Sequence, residues 1–193
     1  QVGKTTMLDH LVQNQQFIKL TGEDESDLRI LADPKSFLTL TQQFPNVIID
    51  EAQFVPNIGR VIKRMVDNNT SDSRIFVTGS SALDLGGNLK ESAAGRFNSY
   101  NLWPLSLEEL AKHSNWIEVK RQINDRMVYG CHPDVINDPT HAKEYLLDFT
   151  DSILYKDLFR LAEVRKPTDL TKLVTFLAAN VGSEIRYGSI ASE

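Results

Sequence analysis

Residues 46–51 read Asn-Val-Ile-Ile-Asp-Glu, an apolar, β-branched run that stops on two carboxylates. A strand with one wet face alternates apolar and polar side chains. This one does not, so both faces must be covered, as in a parallel sheet with helices on each side. The flanking segments agree. Lys4–Val12 reads as a helix with Met7, Leu8, Leu11 and Val12 on one face, and Phe17–Leu20 as a short strand before a polar turn, Thr21–Ser26. Two helical stretches flank Asp33-Pro34, because proline starts a helix well and interrupts one badly. Ile58, Val61, Ile62, Met65 and Val66 repeat at helical spacing, and Ile75-Phe76-Val77 is a third strand signal ending at Thr78-Gly79-Ser80-Ser81. Strands separated by helices predict an α/β fold with a parallel sheet.

After Pro104 the character changes. Ser106 with Glu109 three residues on is a capping box opening a helix to Ala111. Tyr145–Leu161 keeps apolar residues at Leu147, Leu154, Leu158 and Leu161. Leu170, Leu173, Val174, Leu177 and Val181 form a further stripe, opened by Pro167 and closed by Gly182. The expectation is an α/β core over 1–105, a boundary near Pro104–Ser106 and an all-helical second part.

Composition excludes several classes. With 193 residues and 41% hydrophobic content there is material for a real core, which argues against disorder. The single cysteine, Cys131, excludes a disulfide framework and suits a reducing, cytoplasmic setting. No apolar run approaches the roughly 18–20 residues that cross a bilayer, and nothing reads as a signal peptide. A net charge of −5, with no basic stripe, argues against electrostatic coating of nucleic acid.

Chemistry concentrates at three places. Gly3-Lys4-Thr5 at a helix start matches the second half of a phosphate-binding loop, G-x-x-x-x-G-K-[ST]. There glycine lets backbone N–H groups close on phosphate oxygens, Lys4 reaches the β/γ-phosphates and Thr5 ligates Mg²⁺, with Thr6 a further cofactor-binding candidate. Asp50 at the end of an apolar strand can hold the Mg²⁺, and Glu51 can activate the attacking water. Parallel sheets gather ligands at the carboxyl ends of their strands, so Lys4 and Asp50 point to one edge. The third place is the strand end at 78–81. Thr78, Ser80 and Ser81 are candidates to sense the γ-phosphate, with Ser80 favoured, and simple capping of a turn stays open. Arg96 is an arginine-finger candidate, an interface residue or half of a structural ion pair.

Other sites fail on spacing. His10, His113, His132 and His141 show no zinc-ligand pattern. Gly79–Leu83 lacks the closing glycine of a nucleophile elbow, and Asp84–Asn88 lacks the ligands of a calcium loop.

Gln1–Thr6, Val47–Gln53, Val77–Leu83, Ala94-Gly95-Arg96 and Leu105–Glu109, taken in this order, resemble prokaryotic AAA-type ATPases with a C-terminal domain of unknown function. Tyr129–Val135 is similar to that family's glycine-then-Tyr-Pro-Glu-Val segment, with His132 and Asp134 as departures. The resemblance implies a P-loop, AAA-like core binding ATP with Mg²⁺ through Gly3, Lys4, Thr5, Thr6 and Asp50, with Glu51 catalytic. It also implies a winged-helix unit starting near Pro167 and cut at Glu193. A DNA or protein partner acting through the C-terminal part, and an oligomer, fit such a protein.

Three functions compete. The first is a Mg-dependent ATPase acting as a molecular switch or remodeller. The second is a helicase-type motor, prompted by Asp50-Glu51-Ala52-Gln53; only 46 positions separate Lys4 from Asp50, short for a helicase core. The third is a nucleotide-gated DNA-binding module, for which 151–193, with zero net charge, gives no electrostatic footprint. The chain opens at Gln1, inside the loop, so a piece lacking its first strand is expected. Its strands at 47–49 and 75–77 would then lack a neighbour, and the isolated piece would bind ATP poorly.

Overall fold

The computed structural model describes residues 2–68, 72–79, 95–152, 167–185 and 188. The chain divides into two compact units, residues 1–119 and 120–193.

The first unit is built on three parallel strands, β1 (Phe17–Thr21), β2 (Asn46–Asp50) and β3 (Arg74–Val77), in the order β1-β2-β3. Phe17 pairs with Asn46 and Thr21 with Asp50; on the other side Asn46 pairs with Arg74 and Ile49 with Val77. β2 is therefore bonded along both edges, against the expectation that 47–49 would lack a neighbour. The reason is that Phe17–Thr21 occupies one edge and Arg74–Val77 the other. All five β2 residues are buried.

Helices cover both faces, as the unalternating β2 sequence requires. α1 (Lys4–Val12) lies on one face, where Leu8 and Val12 pack with Ile48 and Phe76. Met7 and Leu11, expected on the same face, are 49% and 55% exposed, against 5% and 1% for Leu8 and Val12. The i, i+4 pair meets the sheet, and its neighbours, one position and about 100° earlier around the helix, do not.

The opposite face carries α2 (Glu25–Ala32), α3 (Pro34–Gln43) and α4 (Ile58–Asn68). Leu20, Val47 and Ile49 from the sheet meet Leu31, Phe37, Ile58, Ile62 and Met65 in the larger core. Asp33 ends α2 and starts α3: its side chain accepts from the N–H groups of Lys35 and Ser36, and Pro34 holds the first helical position. The strand starts are tied as well. Buried Asn46 donates through Nδ2 to Gln15 Oε1 at 3.0 Å and to the Gln16 carbonyl at 3.1 Å. Ser73 Oγ donates to the Phe44 carbonyl at 3.0 Å. Further along, α5 (Leu107–His113) opens with the expected capping box: the Glu109 N–H bonds to Ser106 Oγ, and Glu109 returns a bond to the Ser106 N–H.

From residue 116 the described chain is helical: α6 (Trp116–Arg121), α7 (Ile123–Tyr129), α8 (Pro133–Asn137), α9 (Ala142–Ser152) and α10 (Pro167–Ala179). In the second unit, the His132 ring sits 4.9 Å from that of Phe149, which stacks on Tyr145 at 5.9 Å. Burial, and after it the nearby Asp134 carboxylate, push the Tyr145 hydroxyl up to about 12. His132, its ring 6.2 Å from that of Tyr145, and Asp134, the two departures from the family's Tyr-Pro-Glu-Val segment, thus both sit beside Tyr145. Leu147 is exposed, while Leu154, Leu158 and Leu161 lie outside the described residues. The expected stripe at 170–181 falls on α10 and the turn after it, but Leu177 and Val181 are exposed.

Candidate functional site

Strand alternation decides which side chains can meet at the carboxyl edge. Paired residues of parallel strands share a face, so Lys19 and Phe76, the partners of Ile48, lie on the face that α1 covers. Two residues on, β2 ends at Asp50, on that same face. Thr5 precedes Leu8 by three residues, nearly one helical turn, and so meets the sheet one turn nearer the N-terminus of α1.

The result is one carboxylate with four partners. Thr5 Oγ1 donates to Asp50 Oδ2 at 3.0 Å, and Lys19 Nζ lies 3.3 Å from the same oxygen. The Thr78 hydroxyl and the Glu51 N–H, the latter at 3.2 Å, donate to Oδ1. Lys19 Nζ also lies 3.8 Å from Asp9 Oδ1 on α1. Burial alone would raise the Asp50 pKa. The bonds from Thr78, Thr5 and Lys19, with the Lys19 charge, outweigh it and hold the carboxyl below its ordinary value.

The backbone around Asp50 is equally constrained. The Thr78 N–H donates to the Ile49 carbonyl and the Ala52 N–H to the Thr78 carbonyl, both at 2.9 Å, which binds the end of β3 to the turn after β2. Glu51 takes a left-handed conformation with φ 49°, uncommon for a residue with a side chain and typical of functional turns. Its carboxylate accepts a bond from Gln53 Nε2. Gly22 packs against this turn, its N–H bonded to the Asp50 carbonyl at 2.9 Å; a Cβ there would stand 2.4 Å from the Glu51 carbonyl oxygen.

Gly3 precedes α1 with φ 86°, the left-handed turn that directs the chain into the helix. Its carbonyl accepts the first helical bond, from Met7, at 2.8 Å. Lys4 is half-buried and, among the described residues, makes no side-chain bond or ion pair; Thr6 is exposed. Lys4, Thr5 and Asp50 thus gather at one edge of the sheet. Arg96 Nε bonds to Asp67 Oδ1 at 2.6 Å, at the end of α4. Ser80 and Ser81 lie outside the described residues.

Lys19 was missed by motif reading because it belongs to no motif. The available signal was a charged residue at the centre of Phe-Ile-Lys-Leu-Thr, which the register sets beside β2. Thr78, one of three candidates at its strand end, touches Asp50.

The donor set suits a hard cation. The Thr5 hydroxyl and Asp50 carboxylate are neighbouring oxygen ligands of the kind Mg²⁺ takes, alongside waters and phosphates. Among the described residues, no three His, Cys, Asp or Glu side chains gather as an alternative metal site. The start of α1, which has no side-chain cap and where Lys4 makes no side-chain bond among the described residues, is suited to an anion.

Residues 1–111 match the family described as an AAA domain, and residues 120–193 match a domain of unknown function (DUF8612). The chain therefore belongs to the AAA domain family, which points to nucleotide binding. It is 27% identical to an uncharacterized protein of Methanocaldococcus jannaschii over 98% of this chain and 47% of that protein. It is 28% identical to one from Haemophilus influenzae over 88% of this chain and 43% of the relative. An uncharacterized protein of Mycobacterium tuberculosis shares 32% identity over 57% of this chain and 24% of its own length. The chain thus spans half or less of the curated relatives it matches. Among the described residues, no helix is long and apolar enough to cross a membrane.

Proposed function

We propose that the whole protein is a Mg-dependent ATPase acting as a molecular switch or remodeller. The observation that carries this reading is the 3.0 Å bond between Thr5 and Asp50, residues 45 positions apart. It joins the two halves of a nucleotide site, the helix start after Gly3 and the strand end before Glu51.

In this reading the backbone N–H groups at the start of α1 and the Lys4 ammonium bind the phosphates, neutralising charge that grows in the transition state. Thr5 and Asp50 hold Mg²⁺, which draws charge from the phosphate oxygens when bound. Glu51, steadied through one carboxylate oxygen by Gln53, orients a water in line with the γ-phosphate and accepts its proton. Thr78 keeps the Asp50 carboxylate turned toward Thr5.

Two variants test the assignment in the whole protein. Lys4→Ala is expected to abolish binding of ATP, read by equilibrium dialysis. Glu51→Gln should bind ATP as the parent does and hydrolyse it about 100-fold more slowly or worse, the usual effect of losing a general base. Equal hydrolysis by Glu51→Gln and the parent would remove Glu51 from this role.

A further inference from the structure

An ionised carboxylate offers about four lone-pair positions. Around Asp50 all four are engaged, by Thr5 and Lys19 at Oδ2 and by Thr78 and the Glu51 N–H at Oδ1. A cation that takes Asp50 as a ligand must therefore displace a partner. Three of them are poorly placed to leave. The Glu51 N–H is backbone, Thr78 is buried and its backbone is bonded to both Ile49 and Ala52, and Thr5 is itself a would-be ligand. Lys19 differs: its long side chain is about one-third exposed, and it carries the charge an arriving cation would oppose. It also has somewhere to go, since Asp9 Oδ1 stands 3.8 Å from its Nζ and is half-exposed.

We propose that Lys19 is a resident counter-ion of the metal site: it holds Asp50 when no divalent cation is bound, and it moves toward Asp9 when one arrives. Lys19 thereby sets the Mg²⁺ concentration at which nucleotide is captured. The proposal rests on the nucleotide-site reading and deepens it. It assigns Lys19 and Asp9 opposite effects on one quantity, which a purely structural ion pair would not produce. Removing the ammonium vacates a lone pair on Asp50 and relieves repulsion of the cation. Removing the Asp9 carboxylate strengthens the hold of Lys19 on Asp50.

The experiment measures, in the whole protein, the Mg²⁺ concentration giving half-maximal binding of a fluorescent ATP analogue. Lys19→Met is expected to lower it roughly tenfold, the order of one partly screened charge pair. Lys19→Gln should lower it similarly, guarding against a folding defect of either variant, and Lys19→Arg should stay near the parent. Asp9→Asn should raise it. An unchanged or higher Mg²⁺ requirement in folded Lys19→Met and Lys19→Gln would overturn the proposal while leaving the nucleotide site standing. Failure of the parent to bind the analogue at any Mg²⁺ concentration would instead defeat the reading beneath it, and this proposal with it.

Discussion

At the scale of single residues, Asp50 shows how a buried charge is made tolerable. Removing a carboxylate from water is costly, and the cost is met here by hydrogen bonds to the charged form and a nearby ammonium. Each partner then matters beyond its own bond, because its loss leaves a lone pair facing protein. Thr78→Val, which keeps the shape and deletes the donor, is expected to cost about 1–2 kcal/mol in urea unfolding, while Thr78→Ser should retain most of the stability. Gly22 is constrained by space. Gly22→Ala would bring its Cβ against the Glu51 carbonyl oxygen and should cost about 1–3 kcal/mol, with the left-handed Glu51 turn displaced.

Elements are held by the face they bury, and α1 is the sharpest case. It grips the sheet through Leu8 and Val12 while also carrying Thr5 to Asp50. Leu8→Ala should therefore cost about 2–5 kcal/mol, whereas Leu11→Ala, at an exposed position, should stay within about 0.5 kcal/mol. The comparison checks the helix face directly by urea titration. Hydrogen exchange tests the sheet order: amides of β2, paired on both edges, should exchange more slowly than those of β3.

Ahead of α9, the His141 ring Nδ1 lies 2.8 Å from Asp138 Oδ2. The bond to Asp138, then its charge and that of Glu144, raise the His141 pKa above 6.5. A raised folded-state value means that this pair's contribution is fully present below the unfolded pKa. It is lost as pH rises through the folded one. NMR titration of His141 should accordingly give a midpoint above the ordinary histidine value, returning toward it in Asp138→Asn.

For the whole molecule, charge argues about partners and geometry about chemistry. A net charge of −5, with no basic stripe, leaves little to neutralise phosphates along a duplex. Random-sequence duplex DNA should not be retained by this chain in a gel shift near physiological salt. A complex that strengthens as salt is lowered would bring the DNA-binding alternative back.

Much of the first unit was legible because its signals are local and periodic. The unalternating run at 46–49 required two covered faces, Pro34 and Asp33 marked the break between two helices, and Gly3-Lys4-Thr5 with Asp50-Glu51 marked the sheet edge. Sequence by itself determined these, since each follows from a side chain's effect on its own stretch of backbone or from the period of burial. Tertiary structure alone decided the rest. That Lys19 reaches Asp50, that Thr78 supplies the bond at Oδ1, that Met7 and Leu11 face outward and that Asp67 takes Arg96 all depend on strand register and helix rotation. Register and rotation are set by contacts between segments distant along the chain, and such contacts leave no spacing in the sequence from which they can be read.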